Sequence, residues 1–240
     1  MIPVVVSIAR TRTVVPELLE RIHGGNVHQC GGSLITVRNV ISAGHCFHEI
    51  GYTFEKYGVR LGVHDLNDPC HPVINYLHIS RRSDYYSDGH TIIHDIAMVT
   101  LPISVDFDPI IRPVCLPSLG LDVTDQPVII AGWGDEKWEG VTPSKPKELH
   151  TKVIKHDECS LPPINSTKLC TQSWEQTVCS GDSGGPVVWK DPRTNWYTLV
   201  GIVSTTDYCV GHGPATHTRV AAYLPWILDH ITGLPSCLVV

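Results

Sequence analysis

The feature that most constrains the fold is a succession of short runs rich in β-branched and aromatic residues, separated by clusters of Gly, Pro, Asn and Asp. These runs are too short to be typical helices, and they lie too close together for the crossover helices of a parallel sheet. The pattern therefore predicts an all-β chain with an antiparallel sandwich or barrel. The clearest runs are 33–36, 40–43, 59–63, 96–101, 128–131, 153–155, 187–189 and 196–203.

The segment 220–231 departs from this pattern. Tyr223, Ile227 and Ile231 recur every four residues, which favours an amphipathic helix. Pro225 predicts that the regular helix begins near it, because proline is tolerated in a first turn. We therefore expect a C-terminal helix that closes the all-β body.

The composition excludes several classes of partner. Eighteen basic and 24 acidic side chains give a formal net charge of −6, so a broad cationic surface for nucleic acid is not expected. No apolar run approaches the roughly 20 residues that a membrane-spanning helix needs. We expect no nucleic acid and no membrane among the partners.

The nine cysteines indicate an oxidising, extracellular location. Thiols are usually few in reducing compartments, and the chain contains no Cys-x-x-Cys pair of the kind that binds zinc or acts in redox reactions. Asn165 begins an Asn-Ser-Thr glycosylation sequence, which agrees with a secreted glycoprotein. The odd number of cysteines leaves at least one sulfur free or bonded to another chain.

Residues 181–186 read Gly-Asp-Ser-Gly-Gly-Pro and carry the strongest chemical signal. They satisfy the Gly-x-Ser-x-Gly pattern of an α/β-hydrolase nucleophile elbow, but that fold needs a helix directly after the serine. Two glycines and a proline disfavour such a helix, and the flanking runs are strand-like. Taken alone, the stretch also fits a glycine-rich turn without chemistry.

Two further motifs give this serine a context. His45 lies in Ser-Ala-Gly-His-Cys, and Asp95 heads the apolar run His-Asp-Ile-Ala-Met-Val. The order His45, Asp95, Ser183 resembles that of the chymotrypsin-like serine proteases (trypsin fold, S1 family). The resemblance extends over residues 22–231, with Cys-Gly-Gly-Ser-Leu at 30–34, Gly-Trp-Gly at 132–134 and Thr-Arg-Val at 218–220.

This resemblance implies both a fold and a reaction. The fold would be all-β, with two six-stranded antiparallel Greek-key β-barrels packed together, an active site in the cleft between them and a C-terminal α-helix. His45 would act as the base for Ser183, and Asp95 would orient and stabilise the imidazolium during hydrolysis of a protein or peptide substrate through an acyl-enzyme. The amides of Gly181 and Ser183 would form the oxyanion hole. No cofactor and no metal are implied.

A second implication of the resemblance is activation by proteolysis. Arg21-Ile22 followed by His-Gly-Gly resembles the family's zymogen cleavage site, with His23 in place of the usual valine. This predicts a pro-segment at residues 1–21, itself expected to continue a longer precursor, and a protease domain at 22–240. In the family the freed ammonium, here that of Ile22, pairs with the acid before the nucleophile, here Asp182, and orders the oxyanion loop.

The cysteine positions fit the same family. Cys115 matches a cysteine that often tethers a propeptide or light chain, which predicts a disulfide-linked N-terminal chain as a partner. The sequence does not decide whether Cys70 and Cys237 pair with each other. The pairs implied by the resemblance are Cys30 with Cys46, Cys159 with Cys170, and Cys179 with Cys209.

The substrate pocket implied by the resemblance departs from that of trypsin. Thr177 stands six residues before the nucleophile, where an acid would bind Lys or Arg. Ser204-Thr205-Thr206 replaces Ser-Trp-Gly and Ala215 replaces a glycine, which should narrow the pocket. We expect cleavage after small or medium uncharged residues. Activation would then need a separate trypsin-like protease, and proteinaceous inhibitors are further expected partners.

Two other interpretations compete with a protease. The altered pocket would suit a protease-like binding or cofactor protein with little catalysis, although all three triad residues are present.

His90 and His94 have the i, i+4 spacing of zinc ligands on a helix. However, residues 91–93 are Thr-Ile-Ile, and no His-Glu-x-x-His pattern accompanies them. Both observations argue against a zinc site.

Overall fold

The computed structural model describes residues 5–11, 26–47, 57–75, 77–88, 91–159, 165–173, 176–206, 209, 213–233 and 237–238. Two six-stranded antiparallel sheets form most of this structure. No helix in the described part of the chain is long and apolar enough to span a membrane.

The first sheet is built from the N-terminal half of the chain. Its strands are β1 (Val5–Thr11), β2 (Asn26–Leu34), β3 (Asn39–Ser42), β4 (Tyr57–Arg60), β5 (His78–Arg81) and β8 (Ala97–Thr100). They lie in the order β4–β1–β2–β3–β8–β5. Two short strands, β6 (Tyr86–Ser87) and β7 (Ile92–Ile93), form a separate pair.

The second sheet closes into a barrel. Its strands are β9 (Pro127–Gly132), β10 (Lys147–Ile154), β11 (Lys168–Gln172), β12 (Pro186–Lys190), β13 (Tyr197–Thr206) and β14 (Pro214–Arg219), in the order β10–β11–β14–β13–β12–β9. The predicted all-β fold with two six-stranded units is therefore confirmed. The described strands of the first unit form an open sheet, because its two edge strands, β4 and β5, do not pair with each other. At the β4 edge, Val59 exchanges main-chain hydrogen bonds with Ile74 instead.

The predicted C-terminal helix is also confirmed. Helix α1 (Leu224–His230) follows a short 3-10 turn, and Pro225 lies in its first turn as expected. Ile227 is completely buried. It belongs to an apolar core that also contains Ile41 and Met98 of the first sheet and Ile202 of the barrel. This shared core holds both sheets and the helix together.

The predicted pro-segment, residues 1–21, contains a strand that the structure describes. Strand β1 lies within residues 1–21, yet Ser7 pairs with Gly31 of β2 on one side and with Arg60 of β4 on the other. Val6 and Ile8 of the same strand are 0% and 1% exposed. A buried strand with main-chain partners on both edges is an integral part of the sheet, although residues 5–11 lie within the segment predicted as a pro-segment. The Arg21–Ile22 site lies outside the described residues.

The disulfides confirm three predictions and overturn a fourth. Cys115 is bonded to Cys237, so it cannot tether another chain, and Cys237 does not pair with Cys70. The C-terminal residues reach Cys115 because Leu116 donates a main-chain hydrogen bond to the carbonyl of Cys237 at 2.9 Å. Cys70 is exposed and not disulfide-bonded. The three confirmed bridges are Cys30–Cys46, Cys159–Cys170 and Cys179–Cys209.

Candidate active site

His45 and Asp95 are brought together by two elements of the first sheet. His45 lies in the 3-10 turn Gly44–Phe47 after β3, and the Cys30–Cys46 disulfide fastens this turn to β2. Asp95 is fully buried between β7 and β8. The His45 Nδ1 atom is 2.8 Å from Asp95 Oδ2, and the His45 backbone N–H donates to Asp95 Oδ1 at 2.8 Å. With Nδ1 protonated towards the carboxylate, Nε2 carries the lone pair that a general base needs.

Asp95 accepts further hydrogen bonds from the barrel, one at its carboxylate and one at its main-chain carbonyl. The Ser204 hydroxyl donates to Asp95 Oδ2 at 2.6 Å, and the Thr218 hydroxyl donates to the Asp95 carbonyl at 2.7 Å. Burial by itself raises the pKa of Asp95, but the nearby His45 and the hydrogen bonds from His45 and Ser204 outweigh it and lower the pKa to about 2. Asp95 is therefore ionised at neutral pH.

The glycine-rich loop places Ser183 against the same region. The Ser183 carbonyl accepts a hydrogen bond from the amide of Gly31 in β2 at 2.7 Å. Gly184 has a positive φ of 76°, and a side chain there would collide with Ser42 at the end of β3. Only glycine fits this close approach. The loop of Ser183 thus packs on the segment that leads into His45.

Gly181 is held by a pair of residues that the sequence motifs do not reveal. Its φ is 98°, and its carbonyl oxygen lies 2.9 Å from His28 Nε2, while His28 Nδ1 lies 2.9 Å from the Ser7 hydroxyl. Burial lowers the pKa of His28 and outweighs the opposing hydrogen bond to Gly181. A neutral His28 donates from Nε2 to Gly181 and accepts at Nδ1 from Ser7. This chain fixes the backbone of the predicted oxyanion donor from β1 and β2.

The carboxylate of Asp182 is held by main-chain amides of two other segments of the chain. It accepts hydrogen bonds from the amides of Gly134, at 2.8 Å, and Cys179, at 3.0 Å. A side chain at Gly132 or Gly134 would collide with it, which explains the Gly-Trp-Gly motif. Burial raises the pKa of Asp182 to about 6 despite the two amide donors.

A cavity of about 290 Å³ opens beside Asp182. Ile130, Leu149 and Val178 supply the apolar part of its lining. The charged part comes from Asp135, Glu136, Lys147 and Glu148. Within the described residues, no cationic side chain forms an ion pair with Asp182. A buried carboxylate that has no paired cation is suited to binding an ammonium.

The predicted substrate residues have different surroundings in the structure. Thr177 lines the cavity that also contains Asp182, and Ala215 is buried in the core of the barrel. Ser204 is buried, and its hydroxyl donates to Asp95. The Thr205 hydroxyl lies 2.5 Å from that of Thr216. Thr206 pairs with Ala215 through the main chain, and its side chain lies outside the described residues.

Two groups of potential metal ligands can be compared with their contacts among the described residues. Ligand atoms of Cys30, His45 and Cys46 lie within 4.8 Å of one another, but the two sulfurs are bonded to each other and cannot bind a metal as thiolates. His94 Nδ1 lies 3.0 Å from the Tyr223 hydroxyl, and His90 lies outside the described residues. Asn165 is exposed, as a glycosylation acceptor must be.

Sequence reasoning missed four residues around the site: Ser7, His28, Lys168 and Ser204 in its contact with Asp95. Lys168 is only 3% exposed, and its Nζ donates to the Ser204 hydroxyl at 3.4 Å. A lysine inside the apolar run Lys-Leu-Cys-Thr was a usable signal, because buried lysines usually have a partner. The roles of Ser7, His28 and Ser204 depend on contacts between distant strands and leave no local pattern.

Comparisons with known proteins agree with this geometry. A family model described as Trypsin matches residues 6–227. The chain is 32% identical over 221 residues to the proclotting enzyme of Tachypleus tridentatus, which covers 85% of this chain and 58% of that protein. It is 33% identical over 223 residues to the human transmembrane protease serine 11B, covering 86% of this chain and 50% of that protein.

A third relative is melanization protease 1 of Drosophila melanogaster, 32% identical over 248 residues, with 89% of this chain and 61% of that protein covered. The matches to these three relatives therefore span 50 to 61% of their lengths. The family match begins at residue 6, inside the segment predicted as a pro-segment. It agrees with β1 being part of the protease fold.

Proposed function

Because the chain belongs to the trypsin family of serine proteases, we propose that it is a secreted endopeptidase in which Ser183, His45 and Asp95 act together on a peptide bond. The observation that carries the proposal is the pair of 2.8 Å contacts between His45 and the buried Asp95. The loop of Ser183 packs on Ser42 and Ala43, which lead into the turn that carries His45. The three residue types and their order match the requirements of nucleophilic acyl transfer.

The reaction follows from the protonation states. His45 takes the proton of the Ser183 hydroxyl as the oxygen attacks the peptide carbonyl, and the resulting imidazolium is stabilised by the ionised Asp95. His45 then returns the proton to the leaving amine, and water repeats the sequence on the acyl-enzyme. The amides of Gly181 and Ser183 stabilise the oxyanion, a contribution worth about 10²–10³ in rate per donor.

The specificity we propose is cleavage after small or medium uncharged residues. Thr177 supplies no charge for a substrate Lys or Arg, and Ala215 adds a methyl group where relatives have glycine. Protein or peptide substrates of this kind would not include the Arg21–Ile22 bond, so a second, trypsin-like protease would have to cleave it. Secretion, glycosylation at Asn165 and control by proteinaceous inhibitors belong to the same proposal, supported by the four disulfides.

Activation at Arg21–Ile22 is proposed on the properties of the Asp182 cavity. An Ile22 ammonium would match the buried carboxylate, and its aliphatic side chain would match the apolar part of the lining, formed by Ile130, Leu149 and Val178. Because β1 remains paired in the sheet, cleavage would act by creating a new terminus at Ile22 and not by removing residues 5–11.

The test is hydrolysis of a peptide panel that varies the residue before the cut. The uncleaved protein, the trypsin-treated protein and an Arg21→Gln variant are compared, each with and without Ser183→Ala. We expect turnover that requires both Ser183 and cleavage at Arg21, with a preference for Ala, Val or Leu over Lys and Arg.

Each other outcome contradicts a different part of the proposal. No turnover from a folded, cleaved chain would favour the protease-like binding protein. A preference for Lys or Arg would mean that Thr177 does not form the base of the substrate pocket. If an added Ile-Val dipeptide activates the protein and cleavage at Arg21 does not, the ammonium for Asp182 is not that of Ile22.

A further inference from the structure

Lys168 lies directly behind the triad, in the wall of the barrel. It is the first residue of β11, pairs with Thr218 of β14 and is 3% exposed. A buried lysine is costly unless its charge is compensated. The reason for its presence must therefore lie in the groups around its ammonium.

A continuous chain of contacts joins this ammonium to the catalytic base. Lys168 Nζ is 3.4 Å from the Ser204 hydroxyl oxygen, which is 2.6 Å from Asp95 Oδ2. Asp95 Oδ2 is in turn 2.8 Å from His45 Nδ1. The chain runs from β11 through β13 to the histidine turn of the first sheet.

The direction of each hydrogen bond in this chain is fixed. An ammonium has donors and no acceptor, so Lys168 must donate to the Ser204 oxygen. The single Ser204 proton is then directed at Asp95, and the carboxylate accepts it together with the Nδ1 proton of His45. The Ser204 hydroxyl cannot rotate away without losing both partners.

We infer that Lys168 is a positioning residue for the triad, whose charge and hydrogen bond act on His45 through Ser204 and Asp95. The inference rests on the proposed role of His45 and Asp95. A cation behind Asp95 offsets part of the carboxylate charge felt by the imidazole, so less stabilisation is left for the imidazolium. The base then stays unprotonated, and the enzyme active, at lower pH than a triad without this cation.

The other titratable groups around this chain do not supply the same effect. His217 of β14 is buried and donates or accepts with Thr171 at 2.8 Å, and burial, with the charge of Lys168, lowers its pKa to about 3, so it is neutral. Burial and the negative charge of Asp95 raise the pKa values of Tyr85 and Tyr223, which are neutral as well. His156 contacts only the carbonyl of Lys168, at 3.1 Å. Burial lowers the pKa of Lys168 itself, and the negative charge of Asp95 opposes that shift. Among these groups of the described structure, Lys168 is the one that supplies a positive charge behind Asp95.

The experiment measures the pH dependence of kcat/KM in Lys168→Met and Lys168→Gln variants of the activated enzyme. Methionine matches the length of the side chain in a buried site, and glutamine keeps a donor but removes the charge. In both variants, we expect the acid limb of the profile to move to higher pH by about half to one unit, with little change in the plateau value of kcat/KM. Lys152→Met, which removes an exposed lysine of the same barrel, is the matched control and should leave the profile unchanged.

A second measurement does not depend on turnover. In a Ser183→Ala background, the NMR titration of the His45 imidazole should move in the same direction on Lys168→Met. This shift should shrink when Ser204→Ala is added, because the link between Lys168 and Asp95 is then broken.

The inference is overturned if neither variant moves the acid limb or the imidazole titration. It is equally overturned if both variants lower kcat/KM by the same factor at every pH, since that is the signature of a merely structural residue. Absence of Ser183-dependent hydrolysis in the parent enzyme would contradict the proposed function, whereas a normal parent with unshifted variants would contradict only the role of Lys168.

Discussion

At the level of residues, two buried aspartates have opposite pKa shifts because their surroundings differ. Asp95 is surrounded by donors and by His45, which lower its pKa to about 2. Asp182 has two amide donors but no cation among the described residues, and burial raises its pKa to about 6. The first is therefore a permanent anion that can support an imidazolium. The second is an anion held at an energetic cost until an ammonium arrives.

Asp95→Asn should lower kcat/KM by about 10⁴-fold, because an amide that donates to His45 stabilises the wrong imidazole tautomer. The measurement is steady-state hydrolysis of the preferred peptide near neutral pH, with circular dichroism to confirm folding. Asp106→Asn, at an exposed position, is the control and should retain full activity. A loss of less than tenfold in Asp95→Asn would contradict the role given to Asp95.

Asp182 should make the uncleaved protein less stable as the pH rises from about 4 to 6. Its folded-state pKa is raised above the unfolded value of about 3.8, so the folded state binds the proton more tightly. The stabilisation of the folded state by that proton is therefore fully present below the unfolded-state pKa, and it is lost as the pH rises through the folded-state pKa. The full change is on the order of 3 kcal/mol.

The measurement is thermal unfolding of uncleaved wild type and Asp182→Asn at pH 4, 5, 6 and 7. We expect the unfolding temperature of Asp182→Asn to rise relative to that of the wild type as the pH increases through this range. Asp125→Asn, which changes an exposed carboxylate, should follow the wild type. Parallel curves for wild type and Asp182→Asn would show that this carboxyl does not titrate near pH 6.

At the level of elements, β1 is the strand whose importance is least visible in the sequence. It pairs with β2 over its full length and with β4 over residues 7–10. It also supplies Ser7 to the His28 chain that holds Gly181. A strand outside the predicted protease domain thus supports the oxyanion loop.

Cleavage at Arg21 should therefore leave residues 1–21 attached to the folded protein. Main-chain pairing on both edges and burial of Val6 and Ile8 hold the fragment without a covalent link, since residues 1–21 contain no cysteine. The nicked protein should elute from a size-exclusion column as one species in buffer and separate into two fragments in denaturant without reductant. Release of the fragment in buffer would contradict this account of β1.

At the level of the whole molecule, the C-terminal residues are fastened across the chain. The Cys115–Cys237 disulfide spans a sequence separation of 122 residues and fixes the tail next to the connection between the two sheets. Large loops closed by a disulfide restrict the unfolded chain most in the loop-entropy account. Cys237 is thus bonded to Cys115, the cysteine that was predicted to join a second chain.

Replacing both cysteines, Cys115→Ser with Cys237→Ser, should lower the free energy of unfolding by about 2–4 kcal/mol. The catalytic residues lie elsewhere, so peptide hydrolysis should change little. The measurement is denaturant unfolding, with Cys70→Ser as the control because Cys70 is exposed and unbonded. An equal loss in the control, or mass spectrometry that finds Cys115 joined to another peptide, would contradict the assigned bridge.

The sequence by itself determined the fold class, the C-terminal helix, three disulfides and the candidate triad, because each depends on local patterns or on ordered motifs. Strand runs, a proline in a first turn and Gly-Asp-Ser-Gly-Gly-Pro are all readable within a few residues. Local patterns were less informative at residues 1–21, because the motif resembling a cleavage site gives no sign of strand β1, which pairs on both of its edges.

The tertiary structure decided the contacts between strands that are distant in the chain. Ser204 meets Asp95 across 109 positions, His28 meets Gly181 across 153, and Cys115 meets Cys237 across 122. Such contacts leave no periodicity or spacing, since they arise only when two sheets pack on one core. For the same reason, a lysine that reads as one polar residue in a strand becomes a buried cation behind the triad.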